Sequence, residues 1–135
     1  MSERTALLFA NEAFYRAFAD RDMAAMAELW SERTPVACIH PGWGVLEGRD
    51  KVLDSWAAIL ANPDSPAITC HDATAIVLGD SGFVICYELI DGQFLIATNV
   101  FVREGRLWKM VHHQGGPTSV RPQVEQDQPA PDRIN

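Results

Sequence analysis

From Ala67 to Gln114 apolar residues recur at every second position, and the turn signals Asp80-Ser81-Gly82, Asp91-Gly92 and Glu104-Gly105 divide this stretch into four strands. Period-two alternation is the pattern of a pleated strand, and turns this short join strands that pair antiparallel. The expected strands are Ala67–Leu78, Phe83–Ile90, Phe94–Arg103 and Leu107–Gln114. In the first, Ile68, Cys70, Thr74, Ile76 and Leu78 alternate with Thr69, His71, Ala73, Ala75 and Val77.

The residues before Ala67 carry the helical period instead. Ser2 is placed to cap a helix over Glu3–Ala19, in which Leu7, Ala10, Phe14 and Phe18 form one stripe and Glu12 and Arg16 can pair on the exposed side. Asp22 caps a short second helix with apolar Met23, Met26, Leu29 and Trp30, so the two form a hairpin. Val36–His40 is a short strand stopped by Pro41-Gly42. Gly48 opens a third helix with the stripe Val52, Trp56, Ile59 and Leu60, and Asn62-Pro63 ends it. Helices followed by hairpin-linked strands imply an α+β fold with the helices on one face of a curved antiparallel sheet.

A chain of 135 residues with 47% hydrophobic residues fits one folded domain, expected over residues 1–117. Residues 118–135 follow as a Pro-rich tail, extended or mobile, with Pro122, Pro129 and Pro131 after Pro117 and few apolar residues to offset its ordering entropy. Eleven basic against eighteen acidic residues leave a net charge of −7, which argues against nucleic-acid and anionic-membrane partners. No apolar run approaches the ~18 residues of a membrane span, and Met1-Ser2-Glu3-Arg4 does not begin a signal peptide, so a cytoplasmic protein is expected. Cys38, Cys70 and Cys86 form no disulfide or zinc pattern. They are expected as buried thiols, with a nucleophilic Cys38 beside His40 as the alternative.

In the last strand Trp108, Met110, His112 and Gln114 share one face, and Leu107, Lys109, Val111 and His113 the other. A lysine head belongs outside, so His112 and Gln114 are expected inside and His113 in packing or subunit contact. Glu88 either faces water, opposite in parity to Leu89, or is a buried acid with a raised pKa; the first is the expectation. Consecutive His112 and His113 point to opposite faces, so a site with His40 and both is not expected, and neither metal nor other cofactor is assigned. No phosphate-binding glycine motif or Ser-His-Asp signal is present.

The order of elements, with Cys38-Ile39-His40-Pro41-Gly42-Trp43, Gly48 to Trp56, Thr98-Asn99-Val100-Phe101 and Trp108 to Gln114, resembles the SnoaL-like branch of the nuclear transport factor 2-like superfamily over roughly Thr5 to Gln114. The resemblance implies a cone-shaped half-barrel: three helices close over a bent sheet, with a cavity for a small, partly apolar molecule and a homodimer formed through the outer sheet face. The superfamily spans isomerases, cyclases, dehydratases and non-catalytic association modules. Laid over its ketosteroid isomerases, Tyr15 falls near the helix-one tyrosine, His40 at the base before a proline, and Asn99 at the second acid. With imidazole and amide replacing both carboxylates, the expectation is a cofactor-free isomerase or lyase. His40 would transfer the proton, Asn99 and Tyr15 would stabilise an oxyanion, and Trp43, Trp56, Met110, His112 and Gln114 would form the walls. The alternative is a non-catalytic ligand-binding or homo-association module in which these polar groups satisfy one another.

Overall fold

Ser2 begins the first helix because its Oγ accepts from the Thr5 N–H at 3.1 Å. A computed structural model describes residues 2–123, and the part of the tail containing Pro129 and Pro131 lies outside the described residues. Helix α1 spans Glu3–Ala19, and α2 spans Met23–Leu29 with the Asp22 side chain capping Ala25 N–H at 3.0 Å. Strand β1 is Ala37–Ile39, β2 is Leu46–Glu47 and α3 is Arg49–Ala61; strands β3 to β6 are Ile68–Leu78, Ser81–Ile90, Gln93–Glu104 and Leu107–Pro117. Beyond Pro117, residues 118–123 have no regular structure, and Arg121 lies over the Phe94 ring at 5.2 Å.

The six strands run in the order β2-β1-β6-β5-β4-β3. The hairpins β3 to β6 are antiparallel as expected, while β1 lies parallel to β6, pairing Ala37 with His112 and Cys38 with His113. The sheet is therefore mixed and open. The helices cover its inner face and bury Leu7, Phe14, Trp30, Val52, Trp56, Phe101 and Met110. At Gly82 α1 packs close against the sheet: a Cβ there would stand 2.7 Å from Leu7 Cδ2 and 2.8 Å from the Ile76 carbonyl oxygen.

Two bulges decide which side chains point inward. In β3 the register shifts between His71 and Thr74, so that Asp72, at φ 56°, and Ala73 together oppose Cys86. The inward set passes from Cys70 to Ala75 and Val77, and Leu78 is exposed, which corrects the single alternation expected for this strand. In β6 the pairs Val100 with His112 and Phe101 with Met110 leave Val111 as the extra residue. Trp108 and Met110 remain inside, but beyond Val111 the buried residues are His113 and Gly115, while Gln114 is exposed.

Gly82→Ala forces Leu7 and a strand carbonyl apart, so it is expected to cost about 1–3 kcal/mol. Thermal unfolding should show a Tm several degrees below the parent's.

Candidate functional site

The inner face of the sheet carries a connected polar cluster beneath α1 and α3. Asn99 on β5, fully buried, donates from Nδ2 to Asn11 Oδ1 at 2.8 Å and to Tyr15 Oη at 3.1 Å, both on α1. Its Oδ1 accepts from His113 Nδ1 at 2.5 Å, which assigns the proton of the neutral ring to Nδ1. Tyr15 in turn donates to Glu88 Oε2 at 2.6 Å and lies 3.2 Å from the Cys86 thiol. His113 Nε2 stands 3.9 Å from Glu88 Oε2.

His40 sits at the edge of the same interior. The turn Ile39-His40-Pro41-Gly42-Trp43 closes with Trp43 N–H donating to the His40 carbonyl at 2.9 Å. Proline before a Gly42 at φ 84° is the composition of a type II turn, which the dipeptide announces in the sequence. The turn folds Trp43 back so that its ring meets the His40 ring edge-on at 4.8 Å, and the Trp56 ring also meets it edge-on at 4.8 Å. Ser55 Oγ donates to the Val52 carbonyl at 2.7 Å, so it accepts from His40 Nε2 at 2.9 Å. That bond leaves the lone pair on Nδ1; the Cys38 thiol lies 4.0 Å from Nδ1 and 3.8 Å from Nε2.

Burial sets the charge of these groups. It lowers His40 from an ordinary imidazole value to about 4, and His113 to about 3 with further repulsion from His40 and His112. Burial pushes the Glu88 carboxyl above the usual carboxylate range against the opposing pull of the Tyr15 hydrogen bond. Tyr15 is raised well above the usual phenol value by burial and by Glu88, and burial pushes the Cys38 thiol up to about 12. Near neutral pH the interior therefore holds two neutral imidazoles beside a carboxyl whose ionisation burial opposes.

Of the residues expected at the site, Tyr15, His40, Trp56, Asn99 and Met110 are buried, and the first four belong to this interior. Trp43 covers the His40 edge while half exposed. His112 and Gln114 are corrected: the Val111 bulge turns His112 outward, where its Nδ1 meets the Ala37 carbonyl oxygen at 3.1 Å, and leaves Gln114 exposed. Lys109 is outside as expected, donating to the Glu28 carbonyl at 2.6 Å, yet the His113 on its nominal face is inside. Glu88 is corrected too, being 2% exposed and directed inward with Val84 and Cys86. Asn11, Ser55, Glu88 and His113 were not assigned to the site from sequence. Among the described residues no group of three His, Cys, Asp or Glu side chains is placed to hold a metal ion. A separate concavity of about 660 Å³ beside α2 is bordered by Trp30, Arg33, Arg49 and Glu104, away from this cluster.

A family model described as SnoaL-like domain matches residues 8–118. The structure is similar to that of a candidate dehydratase of the nuclear transport factor 2-like family from Streptomyces avermitilis, at 34% identity and TM-score 0.80, covering 87% of this chain and 97% of that one. It is also similar to a candidate calcium/calmodulin-dependent protein kinase type II association domain from Thiobacillus denitrificans, at 31% identity and TM-score 0.72, over 82% of this chain and 93% of that one. The Arabidopsis thaliana F-box protein SKIP8 is 31% identical over 110 residues, 80% of this chain and 48% of that protein, so the chain spans about half the length of this curated relative.

The buried titrating groups predict how stability varies with pH. Both histidines are depressed, so their stabilisation is complete above ~6.5 and is lost as pH falls toward the folded values of about 4 and about 3. Glu88 is raised and acts in the opposite sense, stabilising less as pH climbs through its folded value. Urea unfolding between pH 7 and pH 4 should show stability falling with acid, and E88Q should steepen the fall by removing the opposing contribution. A slope unchanged by E88Q would mean that Glu88 takes up its proton equally in the folded and unfolded protein.

Proposed function

We propose, from the fact that this chain belongs to the SnoaL-like domain family, that its interior binds a small, partly apolar organic molecule and that His40 moves a proton on it, as in a cofactor-free isomerase or lyase. The observation that carries this reading is the Ser55–His40 hydrogen bond, which keeps the imidazole in one tautomer, its Nδ1 lone pair engaged only by a weak thiol contact from Cys38 at 4.0 Å and its ring in contact with those of Trp43 and Trp56. With its pKa lowered to about 4, His40 is unprotonated throughout the physiological range and free to accept a proton, at the cost of a basicity below that of an ordinary imidazole. Tyr15 and Asn99 supply O–H and N–H groups near a developing oxyanion, although both already have partners.

The second reading is the non-catalytic module. It draws on the same hydrogen bonds, since Asn99 is satisfied on both sides by Asn11, Tyr15 and His113, and on the similarity to an association domain. In both readings we place a second copy of this chain on the outer sheet face. There Phe83, Ile85, Tyr87 and Leu89 of β4 adjoin Val100 and Val102 of β5 and are only half-buried in the single chain. A cytoplasmic location is part of the proposal, in keeping with three free cysteines; no helix among the described residues is long and apolar enough to cross a membrane.

Nitrobenzisoxazole separates the two readings, because its ring opens once a base removes one carbon-bound proton and the product absorbs visible light. The wild type should accelerate the opening over buffer, with kcat/KM level from pH 8 to 6 and falling only as pH approaches about 4. H40Q should lower kcat/KM by about a hundredfold or more. Absence of acceleration, or equal rates for wild type and H40Q, would leave the module reading in possession. For the outer face, I85D should shift the species seen by light scattering from dimer to monomer without altering the helical circular dichroism.

A further inference from the structure

Where α2 ends, the chain is pinned to the last strand. Trp30 leaves the helix in an extended conformation and bridges Met110, and the Ser31 N–H donates to the Met110 carbonyl at 3.0 Å. Ser31 Oγ donates to Glu104 Oε2 at 2.5 Å and accepts from the Arg33 and Thr34 N–H groups at 3.2 and 3.0 Å, a hydroxyl-closed turn. Arg49, the first residue of α3, reaches back to α2 and donates from Nη2 to the Ala27 carbonyl at 2.8 Å. These contacts frame the concavity of about 660 Å³ beside α2.

Two buried donors on its wall lack an acceptor: Trp30 Nε1, on a side chain 1% exposed, and Arg49 Nε. Buried N–H groups are almost always paired, so two on one wall are an exception that an incoming oxygen would resolve. The same wall carries both signs of charge, Arg33, Arg49 and Lys109 against Glu28, Glu32 and Glu104. Such a balance selects neither a simple anion nor a simple cation, but a ligand bearing both charges. Arg33 has no ion pair among the described residues, and Arg49 stands only within 3.7 Å of the exposed Glu32. Glu28, Leu107 and Lys109 are shared with a second concavity of about 410 Å³, whose walls include the apolar Phe9, Leu29 and Trp108. Phe9 and Leu107 are 55% and 60% exposed, and the Trp108 Nε1–H is again buried without an acceptor. A mixed-charge space thus opens beside an apolar one.

We infer that these adjoining concavities bind an aromatic α-amino acid, its charged head in the first and its ring in the second. The carboxylate accepts from Arg49 Nε and Trp30 Nε1, with Arg33 adding charge, and the ammonium is held by Glu28 and Glu104. Both donors lie beneath the surface, so the exposed Glu32 side chain beside Arg49 gives way as the head enters. The ring covers Phe9 and Leu107, apolar surface that otherwise meets water, and offers its π face to the Trp108 N–H. Binding is non-covalent and independent of His40.

The test uses the whole chain labelled with the heavy nitrogen isotope and follows its four indole N–H resonances, assigned by Trp-to-Phe variants, during titration with phenylalanine. The Trp30 and Trp108 signals should move together along one saturable curve while those of Trp43 and Trp56 stay in place. Phenylpropionate, which lacks the ammonium, and phenethylamine, which lacks the carboxylate, should each bind at least about tenfold more weakly. R33A and L107S, both at exposed side chains, should each raise the Kd several-fold with circular dichroism unchanged. R49K, which keeps the charge but removes the guanidinium Nε, should do the same, and H40Q should leave the Kd as it is. Absence of a saturable shift, equal affinity for the three compounds, or a Kd indifferent to both R33A and L107S overturns the inference. Shifts confined to Trp43 and Trp56 also overturn it, since they would put the amino acid against His40 instead.

Discussion

Asn99 is an amide buried away from solvent, and its hydrogen bonds hold the inner face of this protein together. Burying such a group without partners costs on the order of 1–3 kcal/mol, so its contacts to Asn11, Tyr15 and His113 are conditions of folding as much as features of a site. The amide also sets direction. Its carbonyl can only accept and its nitrogen can only donate, so His113 must present an N–H, Asn11 an acceptor and Tyr15 a lone pair. Tyr15 then has its own proton to give, and Glu88 receives it. One side chain on β5 thereby orders the protons of groups on α1, β4 and β6.

The electrostatic consequence is an interior built from ionisable residues whose charged forms burial disfavours. Each would lose several kcal/mol of hydration if it entered this space charged, and no lysine or arginine is there to compensate. The depressed imidazoles and the raised carboxyl are the cheapest protonation states of such a set, with their pKa values pushed past each other. Neutral imidazoles thus stand beside a carboxyl whose pKa is shifted the other way, the divergence of environments by which acid and base roles are set apart.

How much of this was visible in the sequence depends on the kind of signal. The three helices, their caps at Ser2 and Asp22, the Pro41-Gly42 turn and the four long strands follow from short-range patterns, and each lies where the residues indicate. The parallel pairing of β1 with β6 and the two-residue β2 depend on partners distant in the chain. The faces of β6 were misassigned at its end because a bulge at Val111 adds one residue, reversing every later side chain, with no glycine to mark it. Glu88 was misjudged for another reason. β4 is apolar on both faces, with Val84 and Cys86 inward and Phe83, Ile85 and Tyr87 outward, so polarity alternation does not label its sides.

The site residues collect where the regular scaffold is interrupted. His40 opens the type II turn, His113 and Gly115 follow the Val111 bulge, and Cys70 precedes the bulge at Asp72. Irregularities re-aim side chains without disturbing the hydrogen-bonded ladders on either side, so the interior can change its chemistry at little cost to the fold. Strand geometry protects the other surface in the same way: along β4, Glu88 and Cys86 serve the interior while Tyr87 between them faces out. Substitution on one face leaves the other intact. This separation gives a physical reason why structures similar to this one include both a candidate dehydratase and a candidate association domain, for the two faces answer to different selective demands on a single set of strands.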